Sequence, residues 1–232
     1  MLFVAAEARE FSGLLPFCRK VERLDWKIGW ARKGELNGRR VFLVANGAGP
    51  KPAAEAVAAA RSKTVGGDMD AVVSTGFCGG LDPALKIGDV FVATGIECAG
   101  VLNPVRTPEA RRACYEGTLV SIDRVAQTVE EKRNLRRSGA AAVEMEAAGV
   151  LPQVREWGMP FYCVRAVTDL ADESFRIDLN AARRPDGRFS TPRILAAAIR
   201  RPAAAGAELM ELRKRCLTAA KALGEFIADC SF

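Results

Sequence analysis

The sequence predicts an α/β protein with three layers, α/β/α, around a mixed, mostly parallel central sheet. Strand-like runs alternate with helix-like runs along the chain, which is typical of sheets covered by helices. Several strand-like runs are apolar throughout, as expected for strands buried on both faces. The chain has 232 residues, 49% of them hydrophobic, which is enough for a sizeable core. We therefore expect one domain over residues 1–232, with a C-terminal helical extension from about residue 191.

The first half of the chain contains four strand signals and two helix signals. The segment "MLFVAA" is typical of a buried strand, and a helical pattern follows in which Phe11, Leu14 and Leu15 share a face. Asn37-Gly38 lies between two strand-like runs and predicts a hairpin. A glycine-rich turn then opens the alanine-rich helix "PKPAAEAVAAARSK". The apolar strand "DAVVST" follows and is expected to break at "GFCGGLDP".

The second half continues the alternation. "GDVFVATGI" and "GTLVSI" predict strands, and residues 125–137 predict a polar helix. "AAAVE" predicts a short strand that leads into a helix over residues 146–157, which Gly158 and Pro160 end. "PFYCVRAV" is rich in β-branched and aromatic residues and predicts the last strand. Because ligands bind beyond the carboxyl ends of such strands, the polar clusters there are candidate site residues.

The composition excludes several classes of function. Net charge is +6, but the basic residues are spread along the chain and the chain has only two tyrosines, which argues against nucleic acid. An anionic substrate or an anionic membrane surface suits this charge better. The chain has no histidine, which excludes Ser-His-Asp and Cys-His nucleophiles and disfavours zinc, so we expect no metal. Acid–base chemistry must then fall to carboxylates.

The cysteines and the N-terminus indicate a cytoplasmic protein. Seven cysteines occur without a CxxC pair, a pattern typical of reduced thiols. The N-terminal segment lacks the basic region of a signal peptide, and no apolar run reaches the length of about 18 residues that a membrane span requires. We expect a cytoplasmic location, with peripheral contact to the inner membrane surface as an open alternative.

Charged side chains follow two of the predicted strands. Asp169, in "VRAVTDLAD", is either a helix N-cap or a general acid whose pKa is raised by partial burial. Glu7, Arg9 and Glu10 follow the first strand, where acids commonly complement a helix dipole. Alternatively, Arg9 holds an anion and Glu10 orients or deprotonates a water molecule. The residue pattern alone leaves both pairs of alternatives open.

The glycine-rich turn around Gly47 and Gly49 follows a strand and opens a helix, as a dinucleotide-binding turn does. Pro50 and Pro52 interrupt that motif, and no acidic residue ends a second strand about 20 residues later. We therefore disfavour a nicotinamide or flavin cofactor. The alternative is that the glycines let the backbone approach an anion or a sugar closely.

The C-terminal region predicts a basic amphipathic helix. Its apolar residues recur at spacings of three or four: Leu209, Leu212, Cys216, Ala220, Leu223 and Ile227. We prefer a helix that packs on the sheet with a solvated basic face over a helix that lies on a membrane.

Taken together, five segments resemble the purine nucleoside phosphorylase, uridine phosphorylase and methylthioadenosine nucleosidase superfamily. They span residues 3 to about 172: "FVAAEAREF", "ANGAGPKPAAEA", "VVSTGFCGGLDPALKIGDVFVA", "VEMEAAGV" and "FYCVRAVTDLAD". A later segment, "DLNAARRPDGRFSTPRILAAAIRRP", resembles a narrower branch, the hopanoid-associated phosphorylases. The resemblance implies the nucleoside phosphorylase-like fold and cleavage of the N-glycosidic bond between a purine and a ribose.

The resemblance also implies roles for individual residues. The family's general acid aligns with Asp169, its ribose-binding pair with Met145 and Glu146, and the water-activating carboxylate of the nucleosidases with Glu10. Arg9 lies where a side chain could bind phosphate. The remaining positions are Gly47, Gly49, Thr75 and Gly76 around the sugar, phosphate or nucleophile, and Phe77, Cys78, Val143, Glu144 and Thr168 around the base.

The first expectation for function is phosphorolysis of an adenosyl substrate, with inorganic phosphate as co-substrate and no other cofactor. The candidate substrate is adenosylhopane in hopanoid biosynthesis, and a homo-oligomer is expected. Phosphorylases of this superfamily usually place an arginine near the "STG" segment, where Ser74 and Phe77 stand here. A hydrolytic nucleosidase that uses a water molecule activated by Glu10 is therefore the alternative. A non-catalytic nucleoside- or lipid-binding protein is the alternative from another class.

Overall fold

The computed structural model describes residues 1–64, 69–189 and 202–232, with side chains from residue 206 in the last range. The strands are β1 (Leu2–Ala5), β2 (Arg19–Arg23), β3 (Trp30–Leu36), β4 (Arg39–Ala45), β5 (Val72–Gly80), β6 (Val90–Cys98), β7 (Val101–Pro104), β8 (Tyr115–Ser121), β9 (Ala142–Glu144) and β10 (Phe161–Asp169). The helices are α1 (Pro50–Lys63), α2 (Val129–Arg136), α3 (Ala147–Glu156), α4 (Leu179–Ala182) and α5 (Pro202–Ala228).

The ten strands of the described residues form one mixed sheet, in the order β10-β6-β8-β9-β5-β1-β4-β3-β2, with β7 paired to β6. Strands β4, β1, β5 and β10 run parallel to one another, and antiparallel pairs extend the sheet at both sides. Because β10 also pairs with β5, the strands β10, β6, β8, β9 and β5 form a closed ring. The prediction of an α/β fold with a mixed sheet is confirmed.

Helices cover both faces of the sheet. On one face, α1 and α3 pack against alternate residues of the strands, such as Leu2 and Val4 of β1. On the other face, α5 packs through Ala219, Leu223, Phe226 and Ile227 against the intervening residues, which include Phe3. This alternation follows from the two-residue period of a strand, which sends successive side chains to opposite faces. The predicted three-layer arrangement is present, and α5 packs on the sheet as expected.

The predicted hairpin joins β3 to β4. Asn37 and Gly38 both have positive φ angles, of 51° and 77°, as a two-residue turn matching the strand twist requires. The helix expected after β1 is wrong, because two short 3-10 turns, Ala8–Phe11 and Leu15–Phe17, occupy that segment. A Cβ on Gly13 would lie 1.9 Å from the Ala220 carbonyl oxygen of α5, so this segment is shaped by close contact with α5.

The expected end of the strand at Thr75 is also wrong. Strand β5 continues through "GFCGG" to Gly80 because its backbone pairs with β10 along that whole length. Tertiary pairing thus overrides the low strand propensity of glycine. The predicted start of the C-terminal helical region, at about residue 191, lies outside the described residues. In the described part of the chain, no helix is both long enough and apolar enough to cross a membrane.

Candidate active site

A cavity opens at the carboxyl ends of β1, β5, β9 and β10. It encloses about 820 Å³ of space, a figure that includes its open mouth. Ten of the predicted residues line it: Arg9, Glu10, Phe77, Cys78, Val143, Glu144, Met145, Glu146, Thr168 and Asp169. The other four, Gly47, Gly49, Thr75 and Gly76, are not among the lining residues, although Gly49 and Gly76 approach the side chains of Glu146 and Glu10.

Arg165 organises the polar floor of the cavity. This arginine is fully buried in β10, where Nη1 donates to the Thr75 carbonyl oxygen at 2.7 Å and Nη2 to Ser74 Oγ at 2.6 Å. Nη2 also pairs with Glu144 Oε2, and Nη1 lies 3.3 Å from Glu146 Oε2. One guanidinium therefore holds two carboxylates in a fixed geometry, as a rigid fork of donors can.

Sequence reasoning missed Arg165. A signal was available, because a charged residue inside the β-branched and aromatic run "FYCVRAV" must be buried with its strand. A buried guanidinium requires carboxylate partners, since an unpaired charge in the core is strongly unfavourable.

Glu10 is a third carboxyl group in this cluster. Burial raises its pKa well above the ordinary value, the nearby Glu146 raises it further, and Arg165 opposes the shift. Its Oε2 has no hydrogen-bond partner among the described residues, and neither does the buried Thr75 Oγ1. Gly76 makes room for the carboxyl group: at φ 132°, a Cβ there would lie 1.9 Å from Glu10 Oε2. The backbone of β5 therefore approaches Glu10 as only glycine allows.

Glu146 lies at the start of α3 and is buried. Its Oε1 accepts a hydrogen bond from the Gly49 backbone N–H at 3.1 Å. Burial raises its pKa to about 7, with Arg165 opposing the shift and Glu144 adding to it. A carboxyl group with this pKa changes its charge near neutral pH, where it can still accept hydrogen bonds from hydroxyl groups.

Glu144 differs from Glu146 although the two are only two residues apart. Its carboxylate accepts hydrogen bonds from the backbone N–H groups of Glu146, at 2.9 Å, and Ala147, at 3.1 and 3.0 Å. These donors belong to the first turn of α3, where N–H groups have no partner within the helix. With Arg165 on one oxygen and the helix start on both, Glu144 fixes the junction between β9 and α3.

Asp169 ends β10 and is 8% exposed. Lys132 Nζ of α2 lies 2.6 Å from Asp169 Oδ2, and the Thr168 hydroxyl group donates to Oδ1 at 3.2 Å. Burial raises the pKa of Asp169, and Lys132 lowers it in opposition. The helix-cap interpretation is wrong, because the next described helix, α4, begins after Asp178, which caps it.

Sequence reasoning also missed Lys132, which stands in the predicted polar helix. The structure shortens that helix to α2, which starts with a capping box between Thr128 and Glu131. Lys132 is 1% exposed, whereas the other charged residues of the helix point outward or lie half-buried. A polar helix gives no sequence signal for which one of its lysines is buried.

The turn from Gly47 to Gly49 is held from two sides. Inside, the Gly49 N–H binds Glu146; outside, Arg183 Nη2 donates to the Ala48 carbonyl oxygen at 2.7 Å. Gly47 and Gly49 have φ angles of 117° and 110°, and a Cβ on Gly49 would lie 1.9 Å from Arg183 Nη2. The glycines therefore let the backbone approach Glu146 and Arg183 closely, and their approach to an anion or a sugar stays a prediction.

The mouth of the cavity is charged, and much of its lining is apolar. Arg9 is 59% exposed and pairs with Glu7 at 2.6 Å, and Arg124 pairs with Glu131. The apolar wall consists of Phe77, Val125, Ala126, Val143, Phe175, Leu179, Phe189 and Leu212. Among the residues described, no three His, Cys, Asp or Glu side chains are arranged to hold a metal ion.

Comparison with known proteins identifies the family that this fold and site belong to. The sequence model of the Phosphorylase superfamily matches residues 27–122 and 99–200, which together cover more than half of the chain. The protein belongs to the phosphorylase superfamily, as its sequence motifs predicted. Its place in the hopanoid-associated branch stays a prediction.

Individual relatives agree with this assignment. The chain is 27% identical over 204 positions to a 5′-methylthioadenosine/S-adenosylhomocysteine nucleosidase of Actinobacillus succinogenes, covering 73% of this chain and 84% of that protein. It superposes on the Neisseria meningitidis enzyme of the same name with a TM-score of 0.72 at 22% identity, over 98% and 96% of the two chains. Futalosine hydrolase of Helicobacter pylori gives 0.70 at 18% identity, over 97% and 94%. The two structural matches support the fold.

Proposed function

We propose that the protein is a hydrolytic nucleosidase that releases adenine from a 5′-substituted adenosine. The observation that carries this proposal is the charge of the cavity floor, where one guanidinium faces three carboxyl groups. Such a floor suits a neutral nucleophile such as water and repels a phosphate dianion.

The cations around the cavity support hydrolysis over the phosphorolysis that we first expected. A phosphate site needs arginine or lysine donors that are free to bind it. In the described part of the chain, each arginine that lines the cavity or its floor, Arg9, Arg124 and Arg165, is already paired with a carboxylate. The phosphate expected as co-substrate therefore has no evident site among the described residues, and water becomes the preferred nucleophile.

The proposed reaction divides the work among three carboxyl groups. Asp169 donates its proton to a ring nitrogen of the purine as the bond between that base and the sugar breaks. Glu10 accepts a proton from the attacking water, whose oxygen bonds to the anomeric carbon. Glu146 accepts hydrogen bonds from ribose hydroxyl groups and favours the positive charge that develops on the sugar. Met145 offers an adaptable apolar surface to the sugar.

The raised pKa values fit these roles. A general acid must keep its proton at neutral pH, and burial raises the pKa of Asp169 in that direction. A general base is most effective when its pKa lies near the working pH, and burial raises the pKa of Glu10 well above its ordinary value.

The substrate class is inferred from the relatives and from the apolar wall. Two of the relatives are named for methylthioadenosine and S-adenosylhomocysteine, which carry sulfur substituents at the ribose 5′ position. Phe175, Phe189 and Leu212 supply apolar surface for a substituent. A lipid-linked adenosine such as adenosylhopane is a second candidate, because the same wall suits a larger apolar group. Peripheral membrane contact and homo-oligomerisation stay predictions.

The test is a substrate panel with and without phosphate. Methylthioadenosine, adenosine and a 5′-lipid adenosine are each incubated with the protein, and adenine and the sugar product are separated by chromatography. We expect adenine and the free sugar in phosphate-free buffer, with no sugar phosphate when phosphate is added. Release that requires phosphate would instead establish phosphorolysis.

A pair of variants separates catalysis from binding. Asp169→Asn removes the proposed proton donor and should lower adenine release about a hundredfold or more. Asp172→Asn makes the same change at an exposed position outside the cavity and should leave the rate unchanged. Wild-type protein that binds the nucleosides without releasing adenine would support the non-catalytic binding protein.

A further inference from the structure

Lys132 is a buried cation whose position the family roles above do not explain. It is the one buried residue of α2, with 1% of its surface exposed. Placing an ammonium group in a protein interior is unfavourable unless carboxylates and hydrogen-bond acceptors compensate for the lost water. The contacts that compensate for the burial of Lys132 therefore indicate its role.

The ammonium group of Lys132 is directed at the end of β10. Nζ lies 2.6 Å from Asp169 Oδ2 and donates to the Leu170 carbonyl oxygen, also at 2.6 Å. The same nitrogen lies 5.5 Å from the centre of the Phe175 ring, close enough for a cation–π contact. Three independent contacts thus fix one nitrogen beside one carboxylate oxygen.

We propose that Lys132 is a positioning residue for Asp169: it orients the carboxyl group towards the bound base and stabilises the carboxylate left when the proton departs. The inference rests on the proposed function, in which Asp169 is the general acid. The proton moves from the Asp169 carboxyl group to the purine nitrogen, and the negative charge stays on Asp169. Lys132 transfers no proton in this step.

The physical need for such a residue follows from burial. Asp169 has little access to water, so a carboxylate formed there during the reaction is poorly solvated. A fixed ammonium group at hydrogen-bond distance replaces that solvation and needs no rearrangement during the reaction. The proton transfer is thereby made more favourable without a second proton donor.

Other ionisable groups around Asp169 do not provide this charge. Glu173, in the segment after β10, raises the pKa of Asp169 and is held by Arg215 of α5 at 2.6 and 3.1 Å. Cys78 of β5 and Cys216 of α5 also lie near it, and burial raises the pKa of both thiols. Lys132 is thus the cation that contacts Asp169 among the described residues.

Lys132 should influence how the activity depends on pH. Asp169 must be protonated to act, so activity falls as the pH rises through its pKa. Lys132 lowers that pKa. Removing the ammonium group should therefore move the alkaline limb of the pH–rate profile to higher pH, even as the maximal rate falls.

The variants are Lys132→Met, which removes the charge, and Lys132→Arg, which keeps it. Arg136→Met is the matched control, because Arg136 lies on the same helix, is 48% exposed and pairs with Asp82. For Lys132→Met we expect kcat to fall about tenfold to a hundredfold, with KM little changed. Lys132→Arg should recover part of the loss, and the control should match the wild type.

A second measurement follows the protonation of the Asp169 carboxyl group in the absence of substrate turnover. Carbon-13 NMR of aspartate-labelled protein follows the carboxyl titration, and Asp169→Asn identifies the resonance. Lys132→Met should raise the midpoint by about one to three pH units, whereas Arg136→Met should leave it in place. A midpoint that does not rise in Lys132→Met overturns the inference even if the wild type releases adenine. A raised midpoint in a protein that releases no adenine supports the pairing and overturns only the proposed function.

Discussion

Arg165 contacts Glu144 and Glu146 directly and acts on Glu10 through space, so one guanidinium balances three carboxyl groups. If all three were ionised, the buried cluster would carry excess negative charge, which is unfavourable in a low-dielectric interior. Burial raises the pKa values of Glu10 and Glu146, and the neighbouring glutamates raise them further. The cluster thus contains carboxyl groups with raised pKa values, and ionising them lowers the stability of the fold.

That imbalance predicts how stability depends on pH. The folded-state pKa of Glu10 lies above its value in the unfolded chain, so its favourable contribution is complete at low pH and is lost as the pH rises through the folded pKa. Glu10→Gln removes this loss. We expect thermal denaturation to show a higher midpoint for the variant than for the wild type, by a few degrees at about pH 8 and by less at about pH 5.

A larger difference at low pH than at high pH would contradict this account of Glu10. Glu7→Gln serves as the control, because Glu7 is partly exposed and paired with Arg9 at the cavity mouth. Its effect on the midpoint should be small at both pH values, as is usual for exposed ion pairs.

The two neighbouring glutamates should respond differently to the same substitution. Glu146→Gln removes the charge proposed to stabilise the sugar, so we expect kcat to fall about a hundredfold with little loss of stability, because burial already disfavours the charged form of Glu146. Glu144→Gln breaks the ion pair with Arg165 at the start of α3, so we expect mainly a lower denaturation midpoint. Steady-state kinetics and thermal denaturation of both variants test whether the two glutamates have separate roles. Equal loss of activity with unchanged stability in both would argue against separate roles.

Site residues differed in how visible they were in the sequence. Asp169, Glu146 and Glu10 were predictable because polar residues at the carboxyl ends of apolar strands meet at one edge of a sheet. Arg165 and Lys132 were not found, because neither stands at the end of a strand. Arg165 lies within the apolar strand β10, and Lys132 lies within the polar helix α2. Their burial depends on partners that are far away in the sequence. Lys132, for example, pairs with Asp169, which lies 37 positions further along the chain.

At the scale of elements, the site depends on junctions between a strand and the turn or helix that follows. The β4–α1 turn supplies the Gly49 N–H, and the β9–α3 junction supplies Glu146, which accepts it. Arg183, just after α4, closes the turn from outside and also pairs with Asp123 at 2.7 Å. Three separate parts of the chain therefore fix one carboxylate.

Gly49→Ala tests this arrangement. The new methyl group would lie 1.9 Å from Arg183 Nη2, at a φ angle of 110° that side chains rarely adopt. We expect a loss of about 1–3 kcal/mol of stability and a clear loss of activity through the displaced Glu146. Gly158→Ala is the control, since Gly158 has φ 66° and open space around it. It should lose some stability and keep its activity, as denaturation and adenine-release assays would show.

Junction geometry was only partly predictable. The hairpin at Asn37-Gly38 was found because two residues with positive φ have a clear sequence signal. The segments "EFSGLLPF" and "GFCGG" were misjudged, because contact with α5 and pairing with β10 decide their conformations. Local propensity is a weak guide where a neighbouring element dictates the backbone.

At the scale of the whole molecule, the three-layer architecture was predictable from the pattern of apolar runs. Strands buried on both faces and helices with one apolar stripe leave few ways to pack. The closed ring of β10, β6, β8, β9 and β5 was not predictable, because strand order depends on pairings between segments that are distant in sequence.

The closed ring has a consequence for local opening of the backbone. A strand within a ring has hydrogen-bonded neighbours on both sides, whereas β2 and β7 end the network of pairings. Amide protons of β5 and β10 should therefore exchange with solvent only through openings close in free energy to global unfolding, and those of β2 far sooner. Thr75, Arg165 and Asp169 all belong to these two protected strands. We therefore expect Arg165 and Asp169, the charged site residues of these two strands, to lie in the slowest-exchanging region of the described chain.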